Sequence, residues 1–281
     1  MDIFVKEPFT DYLADNIDRK GRRFLSSSEL TNIIDQTLYR KETDALSFGR
    51  KAHELVEGLI MSKEVDIYSK KEYEQEEVSP WDIVDTPSNI KKLKNIKKLV
   101  TQYIKDNSIG REMTPLVERS VYLEVYEFDH EKVDECLLPL HNFLTALGRP
   151  IKIRFDYLKR NINNTCSWLY DWKTFTETSL TKVLRDIHYR HYILRMCLYS
   201  YVLQHKIEGM KNFSLVMIPK QESGGRIIDV TVDFAIDSDK IYAYLESVLA
   251  DDLDEKVKLN KLIKGNQKTL YLDYWGKHDV R

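Results

Sequence analysis

The sequence predicts an α/β (α+β) fold, with strands and helices gathered around a sizeable core, and three observations predict it. First, two strand-like runs, Ile151-Lys152-Ile153-Arg154-Phe155-Asp156 and Trp168-Leu169-Tyr170-Asp171-Trp172-Lys173-Thr174, flank the Asn-rich turn segment 159–165. That pattern reads as a hairpin. Second, Phe48 to Ile60 reads as an amphipathic helix, with Leu55, Val56, Leu59 and Ile60 on its apolar face. Third, residues 181–204 read as one long helix, and 42% hydrophobic content over 281 residues is enough to build a core.

Taken in order, the chain opens with Phe24-Leu25-Ser26-Ser27-Ser28-Glu29-Leu30, where the serines are sound N-caps for a following helix. In the helix over 48–60, Gly49, His53 and Glu57 recur at i, i+4 and i+8 and form one stripe. A charged stretch, 61–111, follows. Its part from Ser88 to Val100 reads as a basic amphipathic helix, with Ile90, Leu93, Ile96, Lys97 and Val100 on one side and Lys91, Lys94 and Lys98 on another. Such a helix either borders a nucleic-acid path or is a lysine-coated surface. The expected organisation is one domain over 1–281. Its core is 24–60 and 112–250, 61–111 is a charged helical insert, and 251–281 is a peripheral extension.

The hairpin carries the chemistry. Side chains alternate along a strand, so Asp171 and Lys173 share a face, Trp172 takes the other, and pairing brings Asp156 beside Asp171. Two carboxylates and an ammonium on one face suit a divalent cation and a water that the lysine positions or helps deprotonate. By the same alternation Lys152 and Arg154 share the face of Asp156, where they are candidates to meet phosphates. His53 alone has two readings, a packed core histidine or a ligand.

The order of these pieces resembles the PD-(D/E)XK nuclease superfamily, whose core is a mixed sheet bearing Asp…Asp-x-Lys. The stripe Gly49, His53, Glu57 resembles the G-x-x-x-H-x-x-x-E helix of its RecB-like branch. Leu116-Val117-Glu118-Arg119-Ser120-Val121-Tyr122, then Arg154-Phe155-Asp156, then Asp171-Trp172-Lys173-Thr174 are similar to exonuclease VIII (RecE)-like phage exonucleases. Phe213 to Ile218 and the stretch 227–249 fit the strand and the strand–helix unit that follow, and Tyr271 to Trp275 fit an aromatic tail. One departure stands out: where the branch has Q-x-x-x-Y, this chain has Arg195 and Tyr199.

The resemblance implies a central mixed β-sheet flanked by helices, a restriction-endonuclease-like αβββαβ core. It implies a Mg²⁺ or Mn²⁺ site made by His53, Asp156, Asp171 and the carbonyl of Trp172. Lys173, Asp171 and Asp156 would be catalytic. Glu118 is a candidate for outer-shell or second-metal duty, and Glu57 for orienting His53. Arg195, Tyr199 and His191 on the long helix, with Arg154 and Lys152, would contact DNA.

The implied activity is ATP-independent exonucleolytic cleavage of DNA, acting on duplex ends or single strands. Ring-shaped homo-oligomers and a strand-annealing partner belong to the same implication. An endonuclease, or a DNA-binding protein that has lost activity, would share the fold.

Bulk properties exclude other classes. There is no G-x-x-x-x-G-K-[S/T] phosphate loop, so no ATP-driven helicase is expected. The formal charge of −2 gives no global basic field, which leaves DNA binding to a local cleft. No apolar run is long enough to span a membrane. The N-terminal stretch with Asp2, Glu7 and Asp11 lacks the features of a secretory signal or transit peptide. Cys136, Cys166 and Cys197 are dispersed, too few for a four-cysteine cluster, and fit thiols in a reducing cytoplasm.

Overall fold

A computed structural model describes residues 3–7, 11–12, 17–18, 20–35, 43–74, 79–111, 115–160, 166–176, 179–207, 212–221 and 225–249. The expected extension over 251–281 lies outside the described residues, as does the side chain of Cys166. Cys136 and Cys197 are buried free thiols.

A six-stranded mixed sheet is the centre of the fold. Its strands are β1 (Leu25–Ser26), β4 (Leu116–Leu123), β5 (Ile151–Arg160), β6 (Cys166–Phe175), β7 (Asn212–Pro219) and β8 (Ile228–Asp233). β4 runs antiparallel along one side of β5. On the other side, β1 pairs in parallel with the start of β5 and β6 pairs antiparallel with its end. β7 is parallel to β6 and antiparallel to β8.

The hairpin expected from the sequence is therefore β5–β6. Parallel neighbours need a crossover, and the helical segment between β6 and β7 supplies it. That segment is not one helix. It is α6 (Leu180–Tyr189) and α7 (Tyr192–Lys206), broken at Arg190 and His191. His191 has φ +51°, a left-handed backbone that no continuing helix contains.

Helices cover both faces of the sheet. Strand alternation is plain on β7: Phe213, Leu215 and Met217 enter one apolar cluster, and Val216 and Ile218 the other. The first cluster takes side chains from α1 (Ser27–Asp35), α5 (Leu138–Leu147), α6, α7 and α8 (Ser238–Leu249). The second takes them from α2 (Asp44–Ile60) and α4 (Pro87–Asp106). α2 starts at Thr43, whose hydroxyl accepts from the Leu46 N–H. α1 starts with a capping box: Ser26 Oγ accepts from the Glu29 N–H, and the Ser26 N–H donates to Glu29 Oε2.

The charged insert folds onto α2. Its strands β2 (Ile67–Ser69) and β3 (Ile83–Asp85) form a small parallel ladder, joined through the single turn α3 (Lys70–Tyr73). Leu93, Ile96 and Val100 of α4 are buried against α2, and Lys91, Lys94 and Lys98 are exposed. Lys97 is tied down, its ammonium donating to the Val65 carbonyl. No described helix is long and apolar enough to cross a membrane.

Candidate metal centre

Two adjacent strands change face at one row. On β5, Ile151, Ile153 and Phe155 enter the first cluster, whereas Tyr157 enters the second. On β4, Val117 enters the second cluster, whereas Val121 and Leu123 enter the first. Residues of one parity should all point the same way, so alternation is broken on both strands. The register is kept across the break, with Val117 opposite Tyr157 and Arg119 opposite Phe155. The two residues between, Glu118 and Asp156, are where the faces swap. Glu118 has φ +47°, a left-handed backbone inside a strand. For an L residue this conformation costs about 1–2 kcal/mol, and such strain gathers at functional sites.

The β5–β6 register, Tyr157 opposite Tyr170, continues by one residue to set Asp156 opposite Asp171. The backbone ladder does not follow it there. Instead the Trp172 N–H donates to Asp156 Oδ2 at 2.7 Å. Glu118, Asp156 and Asp171 thus occupy one row across three neighbouring strands. His53 reaches the row from α2, its Nδ1 3.5 Å from Asp156 Oδ1 and 3.6 Å from Glu118 Oε1. Single ligand atoms of His53, Glu118 and Asp156 lie within 4.8 Å of one another, compact enough to hold one metal ion.

Lys173 closes the site from β6. Its Nζ lies 2.5 Å from Asp171 Oδ2 and 3.8 Å from Asp156 Oδ2, and donates to the Trp172 carbonyl at 3.1 Å. Asp156, Asp171 and the Trp172 carbonyl are the oxygens that the sequence assigned to a metal. Here an ammonium takes them, so these oxygens already hold a cation. Glu118 replaces Asp171 in the group that gathers around His53, where the resemblance had implied outer-shell or second-metal duty for it.

Charge balance explains the protonation states. Burial opposes charge on His53, but Asp156 and the contact with Glu118 overcome it and push the imidazole up to about 10. Burial likewise opposes ionised Asp156, yet His53 and Lys173 hold its carboxyl well below the usual range. Burial, with Asp156 beside it, raises Asp171 despite Lys173. Asp171 and Asp156 outweigh burial at Lys173 and hold it as an ammonium. Glu57, one turn beyond His53, is raised by burial and by Glu118.

The candidates for DNA contact divide. Arg154 donates from Nε to Glu118 Oε2 at 2.9 Å and from Nη1 to the Glu7 carbonyl at 2.7 Å. It anchors the strained glutamate instead of facing a phosphate. Lys152 is buried, its ammonium on the Tyr12 carbonyl at 2.5 Å and over the Tyr12 ring, so its stem points away from any solvent path. Counting along β5 put both on the side of Asp156, but it could not show that Glu118 and the Glu7 and Tyr12 carbonyls already occupy their charges.

Tyr199 is buried in the core; burial and nearby Asp171 push its hydroxyl up to about 12. His191 caps α7 at the helix break. Arg195 lies with its guanidinium 5.8 Å from the Tyr192 ring, and the Lys173 ammonium lies 5.7 Å from the same ring. Tyr192 therefore connects Lys173 to α7.

Gly49 sits one turn before His53. A Cβ there would meet nothing within 4 Å, so tight helix packing is not what calls for glycine at this position. No protein-family model matches this chain, and no curated protein matches it.

Proposed function

We propose that the chain is a divalent-metal-dependent deoxyribonuclease that degrades DNA from its ends without ATP. The observation that carries this reading is the convergence of His53, Glu118 and Asp156 within 4.8 Å beside an ammonium already held by Asp171, Asp156 and the Trp172 carbonyl. This order of residues and elements also underlies the resemblance to RecB-like and exonuclease VIII-like enzymes.

His53, Glu118 and Asp156 would hold Mg²⁺ or Mn²⁺, with Asp171 and the Trp172 carbonyl completing the oxygen-rich surroundings that both ions prefer. When bound, such an ion polarises the scissile phosphate and offsets the charge that develops on it. Lys173 Nζ lies among these oxygens and is placed to orient the attacking water and relay its proton. Arg154 keeps Glu118 aimed at His53. Glu57 supports His53 from the next turn of α2. Arg195, stacked on Tyr192, meets the phosphate backbone where the related enzymes have glutamine.

The test is incubation of purified protein with linear and closed-circular DNA in Mg²⁺ or Mn²⁺. Loss of linear DNA alone is the expected result. Lys173→Ala and Asp171→Ala should lower that rate by about 10²–10⁴-fold without unfolding the protein. Cutting of circles would make the enzyme an endonuclease. Parental rates in either variant would remove these residues from the reaction.

A further inference from the structure

A second group of cations lies around Phe48, five residues before His53 on α2. The Lys92 ammonium of α4 is 5.7 Å from the Phe48 ring centre, and the Lys220 ammonium, just beyond β7, is 5.0 Å from it. One hydrogen bond sets this geometry: Asn95 Nδ2 donates to the Pro219 carbonyl at 3.1 Å and docks α4 on the exit of β7. Lys92 lies three residues before Asn95 and Lys220 follows Pro219, so both stems fold over the same ring. Phe48 itself is buried beneath them.

Among the described residues, neither ammonium is in an ion pair with a carboxylate. Lys92 donates to the amide oxygen of Asn89 at 3.3 Å. Asp186 faces this group, but it is bound by Arg190 Nε at 2.9 Å. Burial lowers the pKa of Lys220, and Lys92 and Arg190 lower it further, with Asp186 acting in the opposite sense. Two ammonium groups over one ring, with Arg190 acting on Lys220, exceed the single carboxylate of Asp186, and an added anion would relieve that repulsion.

The group connects to the metal centre. Arg190 interacts with Tyr192, the ring that also faces Lys173 and Arg195. A cationic track therefore runs from Lys173 past Tyr192 and Arg190 to Lys220 and Lys92.

We infer that Lys92, Lys220 and Arg190 form a phosphate-binding subsite that grips the backbone of a nucleic-acid strand next to the point of cleavage. This deepens the nuclease reading and rests on it for the identity of the strand. The shared chemistry is a phosphodiester or phosphate anion, and the experiment separates a nucleic-acid backbone from free phosphate.

Binding of end-labelled DNA is measured with Ca²⁺ in place of Mg²⁺, across a range of salt, for the parental protein, Lys92→Gln/Lys220→Gln, Lys92→Arg/Lys220→Arg and Lys173→Ala. Glutamine keeps the stem over Phe48 and removes the charge. The double Gln variant should bind more weakly at every sequence, with the slope of log affinity against log salt reduced by about 1.4–1.8, two phosphate contacts' worth. The double Arg variant should restore the slope, and Lys173→Ala should bind normally while failing to cut.

An unchanged slope in the Gln variant, with cleavage still dependent on Lys173, overturns the subsite and leaves the nuclease reading intact. Absence of cleavage in the parental protein, with or without DNA binding, overturns the nuclease reading itself. A double Gln variant that loses binding of inorganic phosphate while its DNA affinity and salt slope equal those of the parental protein would assign the group to free phosphate and overturn the backbone assignment.

Discussion

Glu118 is the residue on which the site turns. Its left-handed backbone aims a carboxylate at His53 and Arg154, and it coincides with the change of face on β4 and β5. Glycine in a strand is ordinarily less stable than alanine by about 0.5–1 kcal/mol. At position 118 the order should invert. Glu118→Gly and Glu118→Ala both lose the carboxylate and leave Arg154 without it, so their difference isolates the backbone. Denaturant unfolding should show Glu118→Gly more stable than Glu118→Ala by about 1–2 kcal/mol.

His53 gives a pH signature in the metal-free protein. Its pKa is raised from 6.5 to about 10 on folding. Stabilisation from its contact with Asp156 and Glu118 is therefore complete below pH 6.5 and is lost as pH rises toward 10. Asp156 behaves oppositely: its folded pKa is depressed from 3.8, so its contribution is present above that value and lost on acidification. The stability gap between the parental protein and His53→Gln should be widest between these limits and close on the alkaline side, read from thermal unfolding at stepped pH in EDTA.

Among elements, the hairpin and α2 were legible because they present a clear turn and an apolar face, whereas the strands at 116–122 and 213–218 and the strand–helix unit at 227–249 were found through the resemblance. β2, β3 and α3 were not, since three or four residues carry too little periodicity. The α6–α7 break was missed for a different reason. Helical spacing continues through it, and only the backbone of His191 reveals the interruption.

The link from α4 into β4 is equally specific. Gly110 has φ +68°, and a Cβ there would lie 2.4 Å from the Ile60 carbonyl at the end of α2. Gly110→Ala should destabilise the protein by at least about 1–2 kcal/mol, whereas Gly49→Ala, inside α2 with nothing near its Cβ, should stabilise it by about 0.5–1 kcal/mol. Equal unfolding midpoints for the two variants would contradict this placement of α2 against the end of α4.

At the scale of the whole molecule, the sheet presents its row of carboxylates to α2 while α7 backs it from the other face. That arrangement explains which site residues were legible. His53, Asp156, Asp171 and Lys173 could be found because they lie on long, regular elements in a readable order. The role of Glu118 depends on the change of face, and those of Arg154 and Lys152 on Glu118 and the Glu7 and Tyr12 carbonyls that reach them, and neither leaves a trace in composition or spacing. Lys92 and Lys220 meet over Phe48 only through the docking of α4 on the end of β7, and Lys173 and Arg195 meet at the Tyr192 ring only through the docking of α7.

The most direct measurement is the position of Mn²⁺ in a crystal, located by its anomalous scattering. The account predicts a peak at about 2.1–2.2 Å, an ordinary metal–ligand distance, from His53, Glu118 and Asp156, with Lys173 drawn away from Asp171. A peak elsewhere, or none with His53 still resting on its two carboxylates, would contradict it.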